Sequence, residues 1–159
     1  MIVGITGHQE RPGIDWAWVG EVIRGELAPI PVPLVGLSSL ARGADQVFAE
    51  VLLQVGGRLH FVVPTEDYER HFAGDHLQRF SRLKASAAEV INISPMPTDE
   101  DAFLAAGEYI ASHSDLLMSV WDGKPAAGRG GTADVVAFAK RRCTAILHIN
   151  PMDKEVRPL

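Results

Sequence analysis

The residues best suited to chemistry in this chain are the glycines and cation of Gly128-Arg129-Gly130-Gly131, followed by Thr132. They come after an apolar run (Leu116, Leu117, Met118, Val120, Trp121) that stops at Asp122-Gly123, and Thr132 opens a second run with apolar residues at helical spacing. Strand, glycine loop and helix start together suit an anion. The first helical turn leaves backbone N–H groups without intrahelical partners and carries a partial positive charge. Glycines bring that backbone close to a phosphate with no Cβ in the way. Thr132 can cap the helix or donate its hydroxyl, and Arg129 can offset negative charge.

Ser38-Ser39-Leu40-Ala41-Arg42-Gly43-Ala44-Asp45 is a second candidate. Ser38 and Ser39 can hydrogen-bond phosphate or ribose, and Gly43 frees the backbone at a helix start. Arg42 can neutralise a phosphate or clamp Asp45, while Asp45 can cap the helix or meet a ligand. Gly7-His8 after the first apolar run, and Pro64 to Tyr68 after the third, are placed to meet ribose or base. The Tyr68 ring has no helical stripe to join. Trp121, at a strand end beside the glycine loop, can stack on a base or join the core.

Hydrolysis would need a carboxylate, and Asp134, Asp122 and Glu66 are the candidates. Ser38, His8 and Asp122 lack the nucleophile-elbow sequence of a hydrolase triad. No metal is expected: His71 and His76 are five residues apart and no thiolates accompany them. Asp99, Glu100 and Asp101 read as complements to a helix start. His60 and His148 fall in strand runs and read as structural.

The elements that would position these residues follow from punctuation and period. Six short apolar runs read as strands: Ile2 to Thr6, Leu34 to Leu37, Leu59 to Val63, Val90 to Ile93, Leu116 to Trp121 and Ala145 to Ile149. Between them, five stretches of helical period run from Asp15 to about Leu27, Val47 to Val55, Leu77 to Ala87, Asp99 to about Ser114 and Thr132 to about Arg142. Such alternation predicts an α/β fold, a single-domain, Rossmann-like open and mainly parallel sheet with helices on both faces. Ligands of such sheets bind beyond the carboxyl ends of the strands, near the switch in strand order. The loops after strands one, two and five all lie on that rim. Residues 1–150 are expected to form this nucleotide-binding domain and 151–159 a poorly ordered tail.

A chain of 159 residues has the size of one domain, and 47% apolar with 22% charged residues is a globular composition. The net charge of −5 disfavours a nucleic-acid partner. Cys143 is the sole cysteine, which suits a reducing compartment. The chain has no apolar run of membrane-spanning length and no signal-peptide pattern at Met1 to Gln9, so a cytoplasmic location is expected.

Two stretches together resemble the SLOG superfamily, the Rossmann-like group that includes Lonely Guy phosphoribohydrolases and DNA-processing protein A. Ser38 to Asp45 is similar to its S-G-x-A-R-G-x-D signature and Gly130-Gly131-Thr132 to its G-G-T helix start. Thr6-Gly7-His8-Gln9 is similar to its G-S-R or G-H-R turn, with Gln9 at the basic position, and Asp115 to Gly123 resembles the strand entering the second glycine loop. The resemblance implies a nucleotide or ribose-phosphate ligand with no required cofactor. It also implies a homodimer, for which the helix bearing Phe103 and Tyr109 offers a seam. Lonely Guy enzymes carry P-G-G-x-G-T-x-x-E, whose glutamate serves N-glycosidic hydrolysis. Aligned on Gly131-Thr132, that position is Val135, Asp134 falls one residue early, and the first two glycine positions read Gly128 and Arg129. One residue is about 100° of helical rotation, so Asp134 does not simply replace the glutamate. Binding needs only the backbone N–H groups. A binding protein is therefore expected, with N-glycosidic hydrolysis and single-stranded DNA binding as the alternatives.

Overall fold

A computed structural model describes residues 1–125 and 129–159. Gly128, the first glycine of the loop singled out above, lies outside the described residues. The elements are β1 (Ile2–Gly7), α1 (Trp16–Leu27), β2 (Val35–Ser38), α2 (Ala44–Gln54), β3 (Arg58–Val63), a 3-10 turn (Tyr68–His71), α3 (Gly74–Ala85), β4 (Glu89–Asn92), α4 (Asp99–Ser112), β5 (Leu116–Val120), α5 (Thr132–Arg141), β6 (Ala145–Asn150) and β7 (Glu155–Pro158). The strands form one sheet in the order β4-β3-β2-β1-β5-β6-β7. Each neighbouring pair is parallel apart from β6 and β7, which run antiparallel. The expected Rossmann-like architecture is the one found.

Alternation along the strands sorts the core into two layers, because successive side chains point to opposite faces. Val3, Ile5, Phe61, Met118 and Val120 pack with α1, α2 and α3 through Val19, Ile23, Phe48, Leu52 and Phe80. Leu37, Val62, Leu117 and Ile146 turn the other way and meet Ala106 and Ile110 of α4 and Val135, Val136 and Ala139 of α5. Each fully buried Leu, Ile or Phe in these layers contributes roughly 1.5–3 kcal/mol. Gly107 lets α4 and α5 touch: a Cβ there would lie 2.4 Å from the Val135 side chain. On the opposite face, Arg79 of α3 donates two 2.6 Å bonds to Glu50 of α2. Asp15 caps α1 by accepting from the Trp18 N–H, and Thr98 caps α4 by accepting from the Asp101 N–H.

The sheet departs from expectation at its C-terminal edge. Residues 151–159 are not a disordered tail: β7 lies along β6, with Asn150 opposite Glu155 and Leu147 opposite Pro158. Asn150 builds the reversal, its Oδ1 accepting from the Met152 and Asp153 N–H groups and its Nδ2 donating to Asp153. Lys154 then ties the turn to Asp15 at 2.9 Å.

The two aromatic residues singled out on α4 have separate neighbours. Phe103 turns toward Tyr68 and His71, whereas Tyr109 stacks on His113 at 3.9 Å, so the two rings share no face. No helix among the described residues is long and apolar enough to cross a membrane.

Candidate functional site

Strand order switches between β1 and β5, since β1 leads outward to β2 on one side and β5 to β6 on the other. Their following loops diverge there and leave a cleft of about 780 Å³ at the carboxyl ends of the strands. Gly7 and His8 come from the loop after β1; Ser39, Arg42 and Asp45 come from the β2–α2 connection. Pro64 and Tyr68 come from the segment after β3, while Trp121, Asp122, Arg129, Gly130, Gly131 and Thr132 complete the wall beyond β5. Residues far apart in the sequence thus share one cavity.

Two of the residues read as ligand contacts lie outside its lining. Ser38 is fully buried; its hydroxyl donates to the Asp45 carbonyl and accepts the Leu40 N–H, so it shapes the turn. Gly43 has φ +88° and packs on the loop after β1, where a Cβ would come within 2.6 Å of the His8 carbonyl. The next residue, Ala44, donates its N–H to that carbonyl at 3.2 Å. This helix start is therefore spent on the β1 loop rather than offered to a phosphate.

The start of α5 is different. Gly131 occupies the N-cap position with no side-chain cap, and Gly131, Thr132 and Ala133 of this start line the cleft. Asp134 folds back to accept the Gly130 N–H at 2.8 Å, which shapes the turn. Arg129 crosses to Asp101 of α4 at 2.9 Å while remaining well exposed. Arg42 is also solvent-facing and donates to the Gln9 side-chain carbonyl at 3.3 Å; it does not clamp Asp45.

Asp45 instead accepts the Ser39 N–H at 3.0 Å from a nearly closed position on the cleft wall. Burial pushes its carboxyl up to about 7, against the pull of the Ala41 and Ser39 N–H groups and the Ser38 hydroxyl. Burial, with a smaller contribution from Asp45, also raises the Tyr68 hydroxyl above its ordinary value.

At the switch itself, the Asp122 N–H donates to His8 Nε2 at 3.2 Å. Arg11 Nη1 approaches the same nitrogen at 3.5 Å and Asp122 Oδ2 at 3.4 Å. Burial, and to a lesser degree Arg11, lower the His8 pKa although Asp122 pulls it up. Burial works to raise the Asp122 carboxyl, but the Lys124 N–H, His8 and Arg11 outweigh it and hold it below the usual value.

The carboxylates considered for hydrolysis are not presented as a catalytic set. Asp134 is taken up by Gly130, Asp122 by Lys124 and Arg11, and Glu66 is exposed and outside the cleft lining. Val135, at the position of the Lonely Guy glutamate, is 3% exposed against Gly107. Trp121 lines the cleft, its indole N–H held by the Lys124 carbonyl at 2.8 Å. His148 is buried, with Nε2 2.7 Å from the Trp121 carbonyl.

Sequence reasoning missed several lining residues: Gln9 as a lining group, Arg11, Lys124, His71, Phe72 and Phe103. Arg11 and Lys124 are lone cations in loops and match no motif. His71 and Phe72 come within four residues of Tyr68, and that proximity was the available signal.

No family model matches the chain, and no curated protein matches it by sequence. Solved structures do match. DNA processing protein A from Streptococcus pneumoniae superposes with a TM-score of 0.65 at 20% identity, covering 93% of this chain and 50% of the other. The Helicobacter pylori protein of that name, described for its single-stranded DNA binding mode, gives 0.65 at 18% identity over 94% and 65%. The molybdenum cofactor binding protein of Rippkaea orientalis gives 0.56 at 16% identity over 92% and 74%. This chain thus spans between half and two thirds of the two DNA-processing chains. Together with the seven-stranded sheet, these likenesses show that the chain has the Rossmann-like fold of those proteins.

Proposed function

We propose that this chain binds a nucleotide or other phosphoribosyl-bearing small molecule in the switch-point cleft, as a sensor, carrier or binding module and not as a hydrolase. The observation that carries the reading is the α5 start: Gly131 at the N-cap without a side-chain cap, Gly130 before it, and an opening into the cleft beside Arg129. Phosphate rests on Gly131-Thr132, with Arg42, Arg11 and Lys124 on the same cavity offsetting its charge. Ribose lies against Gly7-His8. The site asks for no metal or cofactor.

Single-stranded DNA is the second reading, favoured by the two DNA-processing structures of the same fold. The net charge of −5 weighs against it, since strand binding relies on a basic, aromatic-lined track. A homodimer and a cytoplasmic setting belong to the same proposal; sedimentation velocity tests the former.

Titration calorimetry against nucleoside monophosphates, ribose 5-phosphate and a short oligodeoxythymidylate tests the function. Saturable binding of the small phosphates, abolished in folded Gly131→Asp by a carboxylate at the phosphate position, is the expected result. Unchanged affinity in that variant removes the glycine loop from the site, and tighter binding of the oligonucleotide favours the second reading.

A further inference from the structure

One wall of the cleft is aromatic. Tyr68, His71 and Phe72 reach it from the 3-10 turn after β3, and Phe103 reaches it from α4, more than thirty residues later. His71 and Phe103 stand edge to face at 5.2 Å, and Tyr68 lies 6.1 Å from Phe103. Behind them, Tyr68 and Phe72 are buried and braced by Phe80, which stacks on Phe72 at 4.2 Å. Phe103 is half-buried and His71 exposed, so part of this ring surface faces the cavity and not the core. Apolar ring faces left inside a concave site suit a flat partner, which removes them from water and gains offset-stacking contact.

The wall is also bounded. Asp99 Oδ2 lies 2.5 Å from Arg70 and 3.6 Å from His71 Nε2, and Arg70 reaches Asp67 at 3.3 Å. Two carboxylates thus share one guanidinium beside the rings, which repels a phosphate chain continuing in that direction. Gly130 packs on Glu100 and Leu104 of α4, next to Phe103, so the anion and ring positions lie within one small ligand's span.

Resting on the binding reading above, we infer that His71 and Phe103, backed by Tyr68, form a subsite for a terminal planar heteroaromatic ring, of the nucleobase type, on a ligand whose phosphate sits at Gly131-Thr132. Stacking is tolerant of ring identity, so the wall selects for the presence of a ring more than for its edge.

The test is calorimetry with AMP, GMP, CMP and UMP against ribose 5-phosphate, on wild type, His71→Ala and Phe103→Leu. The tightest mononucleotide should bind about tenfold more strongly than ribose 5-phosphate, and each variant should lose about tenfold for it while holding ribose 5-phosphate within about twofold. His71 is exposed, so its variant reads the contact even where Phe103→Leu perturbs folding. Equal affinity for mononucleotides and ribose 5-phosphate, unchanged in His71→Ala, overturns the ring subsite and leaves the phosphate site standing. No binding of either class overturns the phosphate reading and the subsite with it. A thymidylate pentamer binding tenfold more tightly than dTMP overturns the claim that the ring is terminal.

Discussion

His8 and Asp122 join the two loops that diverge at the switch in strand order: the Asp122 N–H donates to His8 Nε2 at 3.2 Å, and the His8 N–H donates to the Val120 carbonyl at 2.8 Å. The Asp122 N–H and Arg11 Nη1 both approach Nε2, with Asp122 Oδ1 at 3.4 Å from it, and burial favours the neutral imidazole. Protonating Nε2 removes this clip. The unfolded chain takes up the proton near the ordinary pKa of 6.5, and the folded chain only at lower pH. The contribution of His8 is therefore complete above pH 6.5 and falls as the pH drops below it. His8→Ala should cost about 1 kcal/mol at pH 7.5 and flatten that acid-side loss, read from urea midpoints between pH 5 and 7.5.

Asp45 acts with the opposite sign. Its carboxyl titrates near 7 in the folded chain against 3.8 when unfolded, so the native state holds the extra proton in between. Its stabilising share is present below pH 3.8 and is lost as the pH rises through about 7. The arithmetic is about three pKa units, or on the order of 4 kcal/mol. Asp45→Asn should remove this slope between pH 4 and 7.5. Its absolute stability changes as well, because an amide cannot accept at both of its positions, so the slope is the quantity to measure.

Arg42 is exposed on the cleft with only the Gln9 side chain as its hydrogen-bond partner among the described residues. Arg42→Ala should weaken a phosphorylated ligand by ~1.5–3 kcal/mol, the range for a charge-assisted hydrogen bond. The matching nucleoside should lose much less. Equal losses in calorimetry would give Arg42 a structural role alone.

Val135 bears on hydrolysis. Val135 stands on the cleft wall, 3% exposed, and a valine can neither stabilise positive charge on a ribose nor activate water. Wild-type protein should release no free base from nucleoside monophosphates over hours at micromolar concentration, followed by chromatography. Val135→Glu should gain no efficient turnover, because neighbouring groups must hold a new carboxylate in place before it can act. Robust wild-type turnover, lost on changing Asp134 or Glu66 to Ala, would instead show a relocated catalytic carboxylate.

Much of the fold was legible because strands buried on both faces write near-continuous apolar runs, as in Leu59 to Val63, separated by Gly and Pro. β7 was not, since Glu155-Val156-Arg157-Pro158 is exposed on both faces and carries no hydrophobic pattern. Only the Asn150-Pro151-Met152-Asp153 turn announced it. In the site, motif residues were found but their duties were not separable. Ser38 and Gly43 have the chemistry of ligand contacts, yet the turn and the crossing of the β1 loop consume them. Phe103 looked like seam material because its partners Tyr68 and His71 meet it only through the long-range packing of α4.

The antiparallel seventh strand bears on how the protein keeps to itself. β6, Ala-Ile-Leu-His-Ile-Asn, is apolar and β-prone, and without β7 its free edge would be a template for pairing between chains. Glu155, Arg157 and Pro158 make β7 a poor template in its place: charges face solvent, and proline has no N–H to offer. A chain cut after Asn150 should keep its cleft residues and yet aggregate on concentration, which light scattering would follow. Residues 155–158 thus act as a cover for the edge of the sheet.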